Sequence, residues 1–251
     1  MSPFASSAAP GGILPAQDAA ALRALIEKRY HCRSEELTIA GMRFSFLRVA
    51  DTNALLEAID PATFSDDERL PYWSEIWASS VRLAHWCLTS QALQGKRVLE
   101  LGCGLGLAGI AAVRAGGAVV LSDYEKDALL FARYNAMLNI PWSEPEFLLF
   151  DWRQPDGNRK FDVVLGADIL YERRHFLPLL AAFEMMLSPE GVVVLTDPDR
   201  STGNEFFVMA ENEGYRLRRE GVEIEHHGRR VCINCCELRR PAGVAREEAE
   251  R

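Results

Sequence analysis

The chain has 251 residues, of which 48% are hydrophobic and 25% are charged, so it can form one α/β domain and is too apolar for a disordered chain. Its net charge of -8 disfavours nonspecific binding to nucleic-acid phosphates, although a local basic patch is compatible with that charge. Apolar runs are shorter than the about 18 residues needed to cross a bilayer, and residues 1–16 lack the basic start of a secretory signal, so we expect a cytoplasmic, monomeric protein without a membrane partner.

The first predicted elements form an N-terminal extension. Apolar residues at helical spacing predict a helix over residues 17–30, and alternating apolar residues predict a hairpin over 37–49. Asp51 is then expected to cap a short helix that runs through residue 59. We expect residues 1–16 to be a flexible N-terminus and residues 17–92 to be an extension and lid for the domain that follows.

From residue 97 onward, short apolar runs alternate with helical stretches, as in a parallel sheet covered on both faces by helices. The predicted strands are 98–101, 119–121, 147–150, 163–165 and 192–195, and the predicted crossover helices are 107–114, 127–138 and 176–187. Two more strands, 215–225 and 229–238, are predicted to form an antiparallel hairpin that turns at His227 and Gly228. This core is expected to run over residues 93–240, with a charged tail at 241–251.

The cysteines are scattered over the chain, which is typical of reduced thiols and not of a disulfide framework. They are Cys32, Cys87, Cys103, Cys232, Cys235 and Cys236. The last three follow His226 and His227, which raises the alternative of a zinc site. Because this segment is a predicted strand, its side chains alternate between two faces and do not all converge on one metal, so we expect no metal.

The strongest local pattern lies at residues 98–109, where a strand, a glycine-rich turn and a helix follow one another. Glycine lets the backbone of such a turn approach a ligand closely. Asp123 follows the next strand, about 20 residues further on, where a carboxylate accepts hydrogen bonds from a ribose diol. Together the two features predict a site for a nucleoside-containing cofactor.

The glycine spacing favours one cofactor class over another. Gly102, Gly104 and Gly106 are spaced Gly-x-Gly-x-Gly, which is the pattern of S-adenosylmethionine enzymes, and Glu100 precedes them. A dinucleotide site instead has Gly-x-Gly-x-x-Gly, with a pyrophosphate at the helix N-terminus. Gly109 keeps that alternative open.

Asp151 and Trp152 follow the third predicted strand of the sheet. An acid at this position can accept a hydrogen bond from the adenine amino group, and an indole can lie against the ring, which adds about 1 kcal/mol beyond area burial. Trp152 also fits an aromatic residue of the core between helix and sheet.

These motifs resemble, in order and spacing, the family 16 seven-β-strand protein-lysine methyltransferases, which act on the electron-transfer flavoprotein β subunit, calmodulin and chaperones. The similarity covers about residues 70–197 and is nearest to the flavoprotein β-subunit branch and its bacterial relatives. It rests on four motif segments: 98–109, 122–124, 151–152, and 166–171, which contains an Asp-x-x-Tyr motif. Upstream of them, segment 71–80 resembles a Trp-containing helix of the family. The resemblance implies a Rossmann-like seven-stranded class I sheet with helices on both faces, a C-terminal antiparallel hairpin, an N-terminal helix and hairpin extension, and S-adenosyl-L-methionine as cofactor.

The resemblance also implies roles for individual residues. The cofactor would contact Trp77, Gly102, Cys103, Gly104, Asp123, Trp152 and Ala167, and the neighbouring Glu100, Tyr124 and Asp151 complete the predicted cofactor set. Asp168 and Tyr171 would face the acceptor as catalytic residues, with Glu75 nearby. Asp168 also fits a cap for a helix near residue 172, Tyr171 fits packing at the rim, and Glu75 fits a solvated helix face.

The chemistry of these residues favours N-methylation of a lysine. A lysine amine has a pKa near 10.4 and is protonated at neutral pH, so a carboxylate such as Asp168 can hold the ammonium and a tyrosine can orient it. The same pair also suits a small-molecule amine, which is the alternative enzymatic function. Methylation of a base nitrogen usually goes with a proline-containing motif that is missing at 167–171. A non-catalytic module that binds the cofactor and a partner is the alternative outside enzymes.

Overall fold

A computed structural model describes residues 18–57, 70–155 and 157–240 of the chain. The predicted flexible N-terminus and charged tail lie outside these ranges. The helices are α1 Ala19–Glu27, α2 Thr52–Glu57, α3 Ala78–Thr89, α4 Leu107–Arg114, α5 Lys126–Asn139, α6 Phe176–Met186 and α7 Ser201–Asn212. The strands are β1 Cys32–Ile39, β2 Met42–Val49, β3 Arg97–Leu101, β4 Ala118–Asp123, β5 Glu146–Leu149, β6 Phe161–Ala167, β7 Leu187–Asp197, β8 Arg216–His226 and β9 Arg229–Arg239.

A seven-stranded sheet organises the domain, with strand order β5-β4-β3-β6-β7-β9-β8. The first five strands in this order are parallel, and β9 joins β7 antiparallel before β8 closes the hairpin. Val98 packs into the core layer on one face, together with α3, α4 and α5, whereas Leu99 packs into the layer on the other face, with α6 and α7. The predicted sheet with helices on both faces is therefore confirmed.

The N-terminal extension is a helix followed by a separate two-stranded hairpin. Ala40 and Gly41 both have positive φ, of 49° and 77°, which is the conformation of a tight turn between strands with the usual right-handed twist. Asp51 caps α2, because its Oδ1 accepts hydrogen bonds from the N–H groups of Asn53 (3.0 Å) and Ala54 (3.2 Å). The predicted hairpin and cap are confirmed, and residues 58–59 of the predicted helix lie outside the described ranges.

Two asparagines of α5 attach the hairpin to the helix layer that covers the sheet. Asn135 exchanges hydrogen bonds with the backbone of Leu47, at 2.8 and 3.2 Å, and Asn139 does the same with Ser45, at 2.9 and 2.7 Å. Asn135 also donates to Leu105 O (3.1 Å) in the glycine-rich loop. The two side-chain amides therefore satisfy backbone N–H and C=O groups of β2, as a neighbouring strand would. The Asn135 amide also connects β2 to the predicted cofactor loop.

The structure differs from the prediction in the helices on either side of the parallel strands. Within 71–80 only Tyr72–Ser74 forms a short 3-10 turn, and α3 begins at Ala78, so the segment is not one helix. Helix α7 and most of α3 were not predicted. None of the helices in the described ranges is long and apolar enough to span a membrane, and the described residues contain no cluster of His, Cys, Asp and Glu arranged for a metal.

Candidate active site

The carboxyl ends of β3, β4 and β6 meet at one open cleft of about 720 Å³, which includes space open to solvent. Parallel strands place ligand sites at this edge. The cleft is lined by the predicted residues Glu75, Trp77, Glu100, Gly102, Cys103, Gly104, Asp123, Tyr124, Trp152, Ala167, Asp168 and Tyr171. The structure thus brings these side chains to one place, whereas Asp151 lines a smaller neighbouring pocket.

The glycine-rich loop offers its backbone to the cleft. Gly102 and Gly104 have φ of 63° and 51°, in the left-handed region that favours glycine. A Cβ on Gly104 would lie 3.2 Å from Trp73 O, and one on Gly102 would lie 3.1 Å from Ile169 Cγ2. The loop therefore has little room for side chains, and its bare backbone forms the floor of the cleft.

Asp123 is buried beside this loop and anchors it. Its Oδ2 accepts a hydrogen bond from Gly104 N–H and its Oδ1 accepts one from Glu125 N–H, both at 2.9 Å. Burial raises the pKa of the Asp123 carboxyl to about 6. The backbone of Tyr124 also bonds this carboxyl, and because an ionised carboxylate has about four acceptor positions, Asp123 keeps capacity for a hydroxyl donor of a ribose. The residues present fit the adenosyl cofactor at this point.

Glu100 is a buried carboxyl under the loop. Its Oε2 accepts a hydrogen bond from Gly109 N–H (2.8 Å), and burial raises its pKa to about 8. A Cβ on Gly109 would lie only 2.4 Å from this oxygen and 2.7 Å from Leu121 Cγ. Gly109 is thus needed for close packing of α4 on Glu100 and β4, which explains the fourth glycine without a dinucleotide.

Trp152 forms a buried wall of the cleft. Its ring makes edge contacts with Tyr124 and His175, with centroids at 6.2 and 5.6 Å. Within the described part of the chain, Trp152 Nε1 has no hydrogen-bond partner. The residue is therefore both a core aromatic and a cleft residue, so the two interpretations made from the sequence are compatible. Asp151 instead forms an ion pair with Arg153, 2.7 Å from Nη2 to Oδ2.

Asp168 lies at the end of β6, where the chain leaves the sheet. Its φ is 60°, and its N–H donates to Thr196 O (2.9 Å) of the neighbouring strand β7. The carboxylate forms an ion pair with Arg200, which also lies 3.2 Å from Asp197 Oδ2. The short turn that follows, Arg173–His175, has Glu172 at its N-cap position and no side-chain cap, so Asp168 does not cap it.

Three aromatic rings form the rim beside Asp168. Tyr72 packs edge to face on Tyr171, with centroids 5.5 Å apart, and on Trp77, at 6.0 Å. Trp77 Nε1 donates to Tyr72 O (2.8 Å), which fixes the indole. Burial raises the pKa of the Tyr171 hydroxyl well above its ordinary value, so this group stays protonated. The rim can hold a cationic amine against aromatic faces.

Residues 63–213 of the chain match the family model described as lysine methyltransferase, which covers more than half of the sequence. The chain therefore belongs to the lysine methyltransferase family. The zebrafish protein N-lysine methyltransferase METTL21A is 34% identical over 162 residues, which cover 61% of this chain and 73% of that protein. A Dictyostelium discoideum histidine protein methyltransferase 1 homolog is 29% identical over 47% of this chain and 40% of its own length.

The fold of this lysine methyltransferase family member is shared with solved methyltransferases. The ribosomal protein L11 methylase of Lactobacillus delbrueckii subsp. bulgaricus superposes with a TM-score of 0.54 at 18% identity, over 66% of this chain and 81% of that one. The predictions of the family, of the class I fold and of an S-adenosylmethionine-dependent methyltransferase are confirmed. The finer placement beside the flavoprotein branch stays a prediction.

Glu75 lines the cleft but is not a solvated surface residue. Its Oε1 accepts hydrogen bonds from Thr52 Oγ1 (2.7 Å) and Arg48 Nη1 (3.2 Å). Arg48 is buried and also pairs with Glu35 at 2.5 Å. Glu75 therefore connects the N-terminal extension to the wall of the cleft of this lysine methyltransferase.

Sequence reasoning did not find Tyr72, Asp197 or Arg200 as residues of the site. Tyr72 lies inside segment 71–80, which resembles the helix before the family motifs, and its aromatic ring is the signal for a site residue. Asp197 and Arg200 follow β7, the neighbour of β6, and an acid at the carboxyl end of a parallel strand was the signal for them.

Proposed function

We propose that the chain transfers a methyl group to the side-chain nitrogen of a lysine in a protein substrate. The observation that carries this proposal is the position of Asp168 and Tyr171 in the same cleft as the glycine-rich loop and Asp123. Membership in the lysine methyltransferase family supports it, and so does the relative named as a protein N-lysine methyltransferase.

Residues at three strand ends would hold the cofactor. When bound, S-adenosylmethionine supplies a methyl group on a positively charged sulfur, which a neutral amine accepts while the sulfur keeps the electrons of the broken bond. Asp123 would accept a hydrogen bond from the ribose, because its three backbone bonds leave about one of the four acceptor positions of a carboxylate. Gly102 and Gly104 would let the backbone approach the ligand, and Trp152 would face the adenine side.

Asp168 and the aromatic rim would prepare the acceptor. A lysine with a pKa near 10.4 arrives as an ammonium ion, which the Asp168 carboxylate can bind and orient. Attack requires the neutral amine, so one proton must leave to solvent before the nitrogen lone pair is available. Tyr171 and Tyr72 present ring faces that stabilise a cationic amine or its methylated product. Catalysis on this proposal is mainly alignment of the nitrogen with the methyl carbon.

The opening of the cleft favours a long side chain from a macromolecule. Tyr72 and Trp77 stand at the rim with 38% and 40% of their surface exposed. An acceptor on the end of a flexible chain can enter the cleft past these rings without entering as a whole molecule. A small amine fits the same carboxylate, and the experiment distinguishes the two.

The test is transfer of labelled methyl groups from S-adenosylmethionine to a cell lysate by the purified chain. We expect the label in protein, and acid hydrolysis should return it as methyllysine. Label that passes an ultrafilter, that nuclease releases, or that is recovered as methylhistidine would contradict a lysine acceptor.

Two variants serve as matched controls in this assay. Gly102→Arg should abolish binding of the cofactor, because even a Cβ there lies 3.1 Å from Ile169. Asp168→Asn should keep the calorimetric affinity for the cofactor and lower labelling by about 100-fold, the cost of a misaligned acceptor. Full labelling by Asp168→Asn would remove Asp168 from the acceptor site.

A further inference from the structure

The carboxylate proposed to bind the acceptor already has a cationic partner in the same chain. Strands β6 and β7 are parallel neighbours, so the segments that follow them lie side by side. Arg200 stands directly before α7, after β7, and its Nη2 forms an ion pair with Asp168 Oδ1. The guanidinium thus occupies the position where an acceptor ammonium would bind.

Arg200 has a second carboxylate within reach. Its backbone N–H donates to Asp197 Oδ1 (2.9 Å), and its Nε and Nη2 lie 3.3 and 3.2 Å from Asp197 Oδ2. Asp197 is almost fully buried, whereas the Arg200 side chain is 35% exposed. If the guanidinium leaves Asp168, it keeps an ion pair and exposes no unpaired buried cation.

The charges of these three groups leave room for one more cation. Two carboxylates and one guanidinium carry a formal net charge of -1, and an incoming ammonium would bring the cluster to neutrality. Exchange of partners then conserves every ion pair, since the ammonium takes Asp168 and Arg200 takes Asp197. Such an exchange costs little compared with the loss of an ion pair that would leave a charge unpaired.

We propose that Arg200 is an internal competitor for the acceptor ammonium, which holds Asp168 in the free enzyme and is displaced onto Asp197 when a cationic amine binds. Arg200 on this view is a specificity-determining residue, because only an acceptor whose cation binds Asp168 better than the guanidinium enters the site. The inference rests on the proposed function through the assignment of Asp168 to the acceptor.

The test is equilibrium binding of n-butylammonium, a mimic of the lysine side chain, to the full chain loaded with S-adenosylhomocysteine. Arg200→Gln should bind the probe about tenfold more tightly than wild type, because the cation that competes for Asp168 is gone. Arg173→Gln is the matched control: it removes an exposed arginine that pairs with Glu205 of α7, and its affinity should equal that of wild type. Equal or weaker binding by Arg200→Gln would overturn the proposal.

A second measurement does not depend on the folding of any variant. In ¹⁵N spectra of the wild-type chain, butylammonium should shift the Arg200 Nε–H resonance and leave that of Arg173 in place. An Arg200 resonance that stays constant while the probe saturates would also refute displacement. Because neither measurement needs turnover, the competition can hold even if the labelling experiment finds another acceptor, and it can fail while methyllysine is formed.

Discussion

The buried carboxyl of Glu100 should make the stability of the protein fall as the pH rises. Glu100 is 2% exposed, and burial is the main cause that raises its pKa from 4.5 to about 8, with a smaller contribution from the nearby Asp123. The folded chain therefore keeps a proton that the unfolded chain loses above pH 4.5. This stabilisation is complete below the unfolded pKa and is lost as the pH rises through the folded pKa.

The magnitude follows from linkage between protonation and folding. A shift from 4.5 to about 8 corresponds to about 5 kcal/mol between the two protonation states. Between pH 5 and pH 8 the free energy of unfolding should therefore fall by about 3 kcal/mol on account of this group. Glu100→Gln keeps an acceptor oxygen for Gly109 N–H and has no proton to lose, so this part of the decline should disappear.

Urea unfolding of the cofactor-free chain at pH 5, 6, 7 and 8, followed by circular dichroism, measures the effect. The relevant quantity is the difference between Glu100→Gln and wild type at each pH, because the contributions of Asp123 and Asp197, whose pKa values are also raised to about 6, then largely cancel. The free energy of unfolding of Glu100→Gln should rise relative to that of wild type as the pH rises. For the exposed control Glu211→Gln, the difference from wild type should not change with pH. Parallel curves for wild type and Glu100→Gln would refute a buried, protonated Glu100.

Three further predictions concern the same end of the sheet. Gly109→Ala should lower the free energy of unfolding by about 1–3 kcal/mol in urea denaturation, since its Cβ would lie 2.4 Å from Glu100 Oε2, whereas Gly157→Ala, whose nearest neighbour is at 3.4 Å, should have no effect. Asp123→Asn should weaken calorimetric binding of S-adenosylmethionine about tenfold or more, and unchanged affinity would remove this carboxylate from the cofactor site. Asn135→Ala should cost at least about 2 kcal/mol in thermal or urea unfolding, because it leaves buried backbone groups of two segments unpaired, and a neutral result would contradict its bridging role.

The sheet and its strand ends could be predicted because their signals are local. Runs such as 192–195 are apolar throughout, which is the pattern of a strand covered on both faces. Helix α4 was predicted with its observed bounds, since the glycine turn fixes its start. The convergence of Gly102 and Asp123 then follows from parallel strand topology.

Helix α7 and most of α3 were not predicted, because some of their residues are determined by contacts with residues outside the helix. In α3 the buried face includes Arg82, which pairs with Glu220 of β8 at 2.9 Å, so polar residues interrupt the helical pattern. In α7 a glycine stands in the first turn, where a Cβ on Gly203 would lie 2.7 Å from Asp197 Oδ1. The buried arginine in α3 and the glycine in α7 both lower helix propensity. Each is explained by a contact with a residue outside the helix, which a local sequence pattern does not show.

The pairing of Asp168 with Arg200 was beyond prediction for a related reason. Each residue follows a different strand, and their contact depends on the register in which Ala167 lies opposite Thr196. Asp151 shows the reverse case, because the motif placed it beside the cofactor while a local ion pair with Arg153 holds it over the neighbouring pocket.

The N-terminal extension is joined to the cleft by two sets of hydrogen bonds. Asn135 connects β2 to the glycine-rich loop, and Arg48 of β2 holds Glu75 in the cleft wall. The N-terminal extension therefore contacts both the glycine-rich loop and the wall of the cleft at Glu75. Because the hydrogen bonds of Asn135 are buried, we expect a change in β2 to affect the glycine-rich loop as well as the cleft wall. The cleft wall at Glu75 and the glycine-rich loop are thus both joined to β2 by hydrogen bonds.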